Sequence, residues 1–289
     1  MPEELFLGGY QQEGQLKLAL QKNDRTYALD ETKIPSLEWL LQNIRAAELI
    51  SYLEESIVEE LTTDTVLTLK GLLSQQPIWA AGVTYKISEE ARERESDNST
   101  IYTRVYSAER PELFWKSIGY EAVGSTEPVG IRSDATWSVP EPELVVVYNA
   151  YKEVSGFTVG NDMSSRDIEG ANPLYLPQAK VYDSACAIGP RIWLQTNSDS
   201  FPKLEIQIQI ERTGNIVFSG STSTDRLHRK LAELSEYLGR CKTFPYGVLL
   251  MTGTGVVPPD DFTLEAGDVV SIEIETIGEL VNKVQVIGA

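Results

Sequence analysis

The chain predicts an α+β protein that is mostly β, with a small N-terminal α+β domain over residues 1–72 and a β-rich domain over 73–289. Three observations carry this reading. From Pro77 onward, short β-like runs are separated by long polar stretches rich in Pro and Gly. Helical spacing of apolar residues is clear in only two places, one in each part. There is no alternation of strand and helix, no Gly-rich nucleotide loop and no internal repeat, so a doubly wound parallel sheet is not expected.

The elements follow in chain order. Residues 15–20 and 26–29 alternate loosely and predict short strands joined by Gly-rich turns. Ser36 offers a capping hydroxyl for a helix running to about Glu55, with Leu37, Leu40, Leu41, Ile44 and Ala47 on one face. The acidic ending from Glu54 to Glu60 reads as solvated, and this unit carries no catalytic pattern. Farther on, residues 154–162, 204–211, 248–252 and 269–277 read as strands. The last is the cleanest, with Val270, Ile272 and Ile274 alternating against Ser271, Glu273 and Glu275. A second helix is expected from about Thr224 to Leu238, with Gly239 as its stop and the single histidine, His228, on its polar side.

Bulk properties narrow the partners. A formal net charge of −18 argues against nucleic acid and anionic membranes. No apolar run approaches the length of a membrane-spanning helix. The first residues lack the basic and apolar regions of a secretion signal, and Cys186 and Cys241 form neither a disulfide framework nor a zinc spacing. The expected location is the cytoplasm. An anionic substrate would need a local cation to overcome the field of the whole chain.

One stretch carries the chemistry. In Val139-Pro140-Glu141-Pro142-Glu143-Leu144-Val145, two carboxylates stand two residues apart at the mouth of a buried strand. Residues at i and i+2 of a strand share a face, so Glu141 and Glu143 aim at one point. Burying two like charges together is costly unless a cation lies between them, and oxygen ligands suit a hard divalent ion. Asp162, at the end of the strand 154–162, is the natural third ligand, or else a turn cap. Lys180 follows a loop fixed by Pro173 and Pro177; it is either a surface lysine or a proton acceptor beside a metal. Gly253 and Thr254 follow an apolar run and offer backbone N–H groups and a hydroxyl to a substrate carboxylate. Glu112 is either a buried acid or base, or the surface partner of Arg110; the residues alone favour the surface pair.

With these pieces in order, the chain resembles the fumarylacetoacetate hydrolase family over roughly residues 73–289. The matching segments are Gly82-Val83-Thr84-Tyr85, Glu141-Pro142-Glu143, the run from Gly156 to Asp167, Ala179-Lys180, Ile188-Gly189-Pro190, Thr252-Gly253-Thr254 and the region from Gly267 to Leu280. The resemblance implies a mixed β-roll and a homodimer or homotetramer. It implies Mg²⁺, with Mn²⁺ or Ca²⁺ as substitutes, held by Glu141, Glu143 and Asp162. It also implies a 2-oxo acid substrate, and it adds Tyr85, Ser165 and Arg166 to Gly253 and Thr254 as substrate contacts.

Within the family, the segments Val105-Tyr106, Arg110-Pro111-Glu112, Glu169 through Gln178 and Val257-Pro258 resemble the dehydratases of 2-keto-3-deoxy sugar acids. That resemblance favours Glu112 and Lys180 as the proton-handling pair, acting through an enolate at C3 and loss of the C4 hydroxyl. Hydrolytic members commonly carry a water-activating histidine in the loop after the early tyrosine. Here residues 85–93 contain none, although a glutamate in that loop could substitute. The expectation is therefore a pentonate-like dehydratase. The alternatives are a hydrolase, decarboxylase or isomerase of a diketo acid or acylpyruvate, and a non-catalytic 2-oxo-acid binding protein.

Overall fold

The structure is a computed structural model describing residues 4–62, 64–88, 90, 104–196 and 200–288. The N-terminal part forms β1 (Leu5–Gln12), β2 (Gln15–Lys22), β3 (Arg25–Leu29), α1 (Leu37–Asn43), α2 (Ala46–Glu54) and β4 (Ile57–Glu60). The middle forms β5 (Pro77–Gly82), β6 (Glu112–Ile118), β7 (Val129–Arg132), β8 (Ser138–Val139), β9 (Pro142–Tyr148), β10 (Val154–Asp162), β11 (Ser164–Ser165), α3 (Arg166–Ala171) and α4 (Leu176–Lys180). The remainder forms β12 (Cys186–Leu194), β13 (Glu205–Arg212), β14 (Asn215–Ser223), α5 (Leu231–Gly239), β15 (Val248–Met251), β16 (Val269–Ile274) and β17 (Gly278–Ile287). The α+β, mostly β expectation holds.

Ten strands make one mixed sheet in the order β4-β3-β2-β1-β12-β10-β9-β15-β5-β6, and five make a second in the order β14-β13-β16-β17-β7. Side chains alternate between the two faces of a strand, and the large sheet uses both faces. On one face Leu144, Val146, Phe157, Val159 and Leu250 pack against Ile206, Ile208 and Ile272 of the small sheet. On the other, Val145, Val147, Leu249 and Met251 pack against Leu37, Leu40, Leu49 and Leu53 of the two N-terminal helices. The result is three layers: helices, large sheet, small sheet.

The N-terminal strands are not a sheet of their own. β1 pairs with β12, Phe6 opposite Trp193, so the N-terminal strands extend the large sheet and share its helix-side core.

Two helices differ from expectation. The helix capped by Ser36 breaks after Asn43, because Ile44 and Arg45 are extended. The break has a distant cause: Glu153 accepts from the Ala46 amide at 2.9 Å and pairs with Arg45 at 2.6 Å, supplying the second helix with its N-terminal partner. The late helix starts at Leu231 rather than near Thr224. The preceding residues are drawn to another segment, the His228 amide donating to Thr84 O at 2.9 Å. His228 is therefore off the helix. It remains exposed, stacked on Tyr106 with ring centroids 4.4 Å apart. The strand expected to reach Ile277 ends at Ile274, where Thr276 turns the chain with φ +71° into β17.

Among the described residues, no helix is long and apolar enough to cross a membrane.

Candidate active site

Five neighbouring strands bring their ends to one edge of the large sheet. Glu141 lies just before β9 and Glu143 at its start, Asp162 at the end of β10, Glu112 at the start of β6, and Gly82 and Gly253 at or just beyond the ends of β5 and β15. Register aligns them: Glu143 faces Gly160, Gly82 faces Glu112, and Asp162 faces Cys186. Glu141 and Glu143 keep the parity of Val145 and Val147, so the carboxylates continue the helix-side face of the sheet where its apolar packing ends.

Glu141, Glu143 and Asp162 are 4, 1 and 1 % exposed, and each offers an oxygen within 4.8 Å of the others. Each is braced by a second group. Arg166 pairs with Glu141 Oε1 at 2.9 Å, and Lys116 pairs with Asp162 Oδ1 at 2.5 Å. The Gly253 amide donates to Glu143 Oε2 at 2.6 Å. The Lys180 ammonium donates to Glu141 Oε2 at 2.9 Å, Asp162 Oδ2 at 3.0 Å and Ser164 Oγ at 2.6 Å. Such partners fix the orientation of ligand side chains.

The donor set fits a hard divalent cation. It is all oxygen and closely spaced. Among the described residues, the carboxylates Glu112, Glu141, Glu143, Asp162 and Glu169 outnumber the cations Lys116, Arg166 and Lys180 by two. Burial first, then the charges of Asp162 and Glu141, raise the Glu143 carboxyl well above the ordinary carboxylate range. That strain is what an added cation relieves.

Two glycines make the geometry possible. Gly253 adopts φ +90°, and a Cβ there would lie 2.0 Å from Thr84 Oγ1 and 2.9 Å from Ala81 O. The Thr84 hydroxyl can thus reach Thr252 O at 2.6 Å and fix the turn that presents the Gly253 amide. At Gly82 a Cβ would lie 2.1 Å from Glu112 Oε2, so the carboxylate of Glu112 rests in the space that the missing side chain leaves. Between them, Val83 holds φ +51°, a costly conformation for a β-branched residue.

One cavity gathers Glu141, Glu143, Asp162, Lys180, Glu112, Gly253 and Thr254, all singled out in the sequence. Arg110 does not hold Glu112 at the surface; its guanidinium lies over the Tyr237 ring at 5.1 Å. Tyr85, Ser165 and Arg166 are buried but do not line the cavity; Arg166 acts on it through Glu141. The Thr254 hydroxyl donates to Val256 O at 3.1 Å. Of the loop after Tyr85, Ser88 lines the cavity, while Glu89 and residues 91–93 lie outside the described residues.

Sequence reasoning missed Lys116, Ser164 and Glu169. Lys116 has no exposed side-chain surface and also donates to Met163 O at 3.0 Å and Lys180 O at 2.5 Å. Ile78 faces Ser117 and Trp79 faces Trp115, which leaves Lys116 as the extra residue of a β-bulge. A signal existed in the spacing of Glu112, Phe114 and Lys116 along one strand.

The fumarylacetoacetate (FAA) hydrolase C-terminal family matches residues 78–285, and the chain belongs to this family. It is 40% identical over 282 residues to a probable 2-keto-3-deoxyxylonate dehydratase of Haloferax volcanii, covering 94% of this chain and 96% of that one. It is 40% identical over 215 residues to the 2-dehydro-3-deoxy-D-arabinonate dehydratase of Saccharolobus solfataricus, covering 72% and 71% of the two chains. A solved 2-keto-3-deoxy-D-arabinonate dehydratase complexed with magnesium and 2,5-dioxopentanoate superposes with a TM-score of 0.75 at 32% identity, over 98% of this chain and 99% of that one.

Proposed function

We propose that the protein is a divalent-metal-dependent hydro-lyase that removes water from a pentonate-like 2-keto-3-deoxy acid. The observation that carries this reading is the meeting of three carboxylates, Lys180 and Glu112 in one buried cavity. The dehydratase relatives support the same choice. The only histidine of the chain is exposed and outside that cavity, which leaves a histidine-activated water without a source.

Glu141, Glu143 and Asp162 would hold Mg²⁺. When bound, the ion polarises the 2-keto group of the substrate and acidifies the neighbouring C3 proton. Lys180 and Glu112 share the proton traffic: one takes the C3 proton, and the other donates to the departing C4 hydroxyl. Lys180 is held for this by Ser164 and by the two carboxylates it contacts. Glu112 is held over Gly82. Gly253 orients Glu143, and together with Thr254 it lines the cavity in which the substrate would sit. Residues 1–72 are assigned to a supporting domain, since no described residue before Ala81 lines the cavity. We infer a homodimer or homotetramer from the family resemblance, and a cytoplasmic location from the sequence reading; sedimentation at the 32.1 kDa of one chain would contradict the assembly.

The test offers 2-keto-3-deoxy pentonates and acylpyruvates side by side to the purified protein with Mg²⁺. Dehydration of the sugar acids is expected. Efficient acylpyruvate cleavage without any dehydration would replace this reading with the hydrolytic one, and no turnover of either with intact binding would leave a 2-oxo-acid binding protein.

A further inference from the structure

Carried through to a 2,5-dioxo product, the proposed reaction needs proton transfers beyond the two that Lys180 and Glu112 supply, and this inference rests on that reading. Loss of the C3 proton and the C4 hydroxyl from a 2-keto-3-deoxypentonate gives 5-hydroxy-2-oxopent-3-enoate. The 2,5-dioxopentanoate held by the solved relative has the same composition with its hydrogens elsewhere. To pass from one to the other, C5 and its hydroxyl each lose a proton, and C3 and C4 each gain one. The C5–H bond is acidic because the C3–C4 double bond conjugates it to the 2-keto group. The base that uses this acidity must stand at the end of the substrate remote from the chelated carboxylate.

Among the described residues, the carboxylates and amines lining the cavity are Glu112, Glu141, Glu143, Asp162, Glu169 and Lys180. Three are candidate metal ligands and two handle protons at C3 and C4. Glu169 is the one left without work. It is 5 % exposed, and its Oε2 is fully shielded from solvent. It stands on α3 in the helical wall shared with Leu176, whereas the three candidate ligands and Glu112 come from strand ends. A carboxylate that lines an active cavity is placed to take part in its chemistry.

We propose that Glu169 catalyses this second stage by removing a proton from C5 of the 3-enoate. The C5–H electron pair becomes the C4–C5 double bond, and the C3–C4 pair moves to C2–C3 as the ketone is enolised. Protonation at C3 restores the ketone and leaves the 5-enol, which gains a proton at C4 and loses its hydroxyl proton on becoming the aldehyde. Water is the only molecule lost, and no oxidant or reductant is needed.

The test uses the full-length protein with Mg²⁺ and substrates carrying a single deuterium in either C5 position, with products read by NMR. The wild type should lose deuterium from one epimer and retain it in the other. Glu169→Gln should continue to release water at a reduced rate, but let the 3-enoate accumulate to at least about tenfold over the aldehyde, the scale of losing a positioned base. Any aldehyde it forms should lack the C5 selectivity, and Glu169→Asp should restore part of it. Synthetic 3-enoate given to the wild type should become the aldehyde, a check that needs no variant to fold. The proposal is overturned if Glu169→Gln yields aldehyde with wild-type selectivity and no enoate, or if the wild type leaves added 3-enoate unchanged. Wild-type protein that dehydrates no 2-keto-3-deoxy acid would instead sink the functional reading beneath it.

Discussion

The large sheet has two halves that share hydrogen bonds and core but not chemistry. β4, β3, β2 and β1 form an antiparallel meander built from consecutive chain. β12, β10, β9, β15, β5 and β6 come from segments scattered over the remaining sequence, and five of these six carry the residues assembled at one edge. A local meander is easy to form but presents neighbouring residues to one another. Distant segments laid side by side let Glu112, Glu143, Asp162 and Gly253 converge, each stiffened by its own strand. The lesson is that this sheet's support and its site have different contact ranges, although they belong to one layer.

Variants on either side should separate the two roles. The largest effect is expected from Glu141→Ala, Glu143→Ala or Asp162→Ala, each of which should abolish turnover and greatly weaken Mg²⁺ binding; a variant retaining both would remove that residue from the metal site. Next come Lys180→Ala and Glu112→Gln, expected to lower turnover by about 10² with Mg²⁺ binding largely kept. Gly82→Ala should reproduce a smaller part of the Glu112 effect, about tenfold, because its methyl pushes the end of a flexible side chain rather than backbone. Thermal unfolding should show Gly82→Ala near wild type, and a fold lost at this substitution would contradict the positioning argument. On the supporting side, Leu20→Ala removes a fully buried side chain of β2. It should cost about 2–5 kcal/mol in denaturant unfolding and leave the turnover of folded protein unchanged. A fall in turnover would join the two halves that the account separates.

The parts legible in the sequence are those governed by local periodicity. Glu141 and Glu143 could be paired on paper because alternation needs no tertiary context, and Val270, Ile272 and Ile274 named a strand for the same reason. What was not legible depended on distant partners. Nothing near Ile44 announces the helix break, which answers to Glu153. The bulge at Lys116 depends on the register of β6 with β5. Arg110 beside Glu112 suggested a surface pair, and only the empty space over Gly82 and the ring of Tyr237 draw the two apart.

The central claim is that the sheet edge is built around a divalent cation, and Mg²⁺ titration of chelator-treated protein at several pH values tests it most directly. The folded protein holds the Glu143 proton above the pH at which an unfolded glutamate releases it. Stability of the stripped protein should therefore fall as pH rises from the ordinary carboxylate range through the raised value. Over the same range Mg²⁺ should bind more tightly, release a proton and restore the lost stability. Binding that is independent of pH and changes neither stability nor proton count, in wild type and Glu143→Gln alike, would contradict the account.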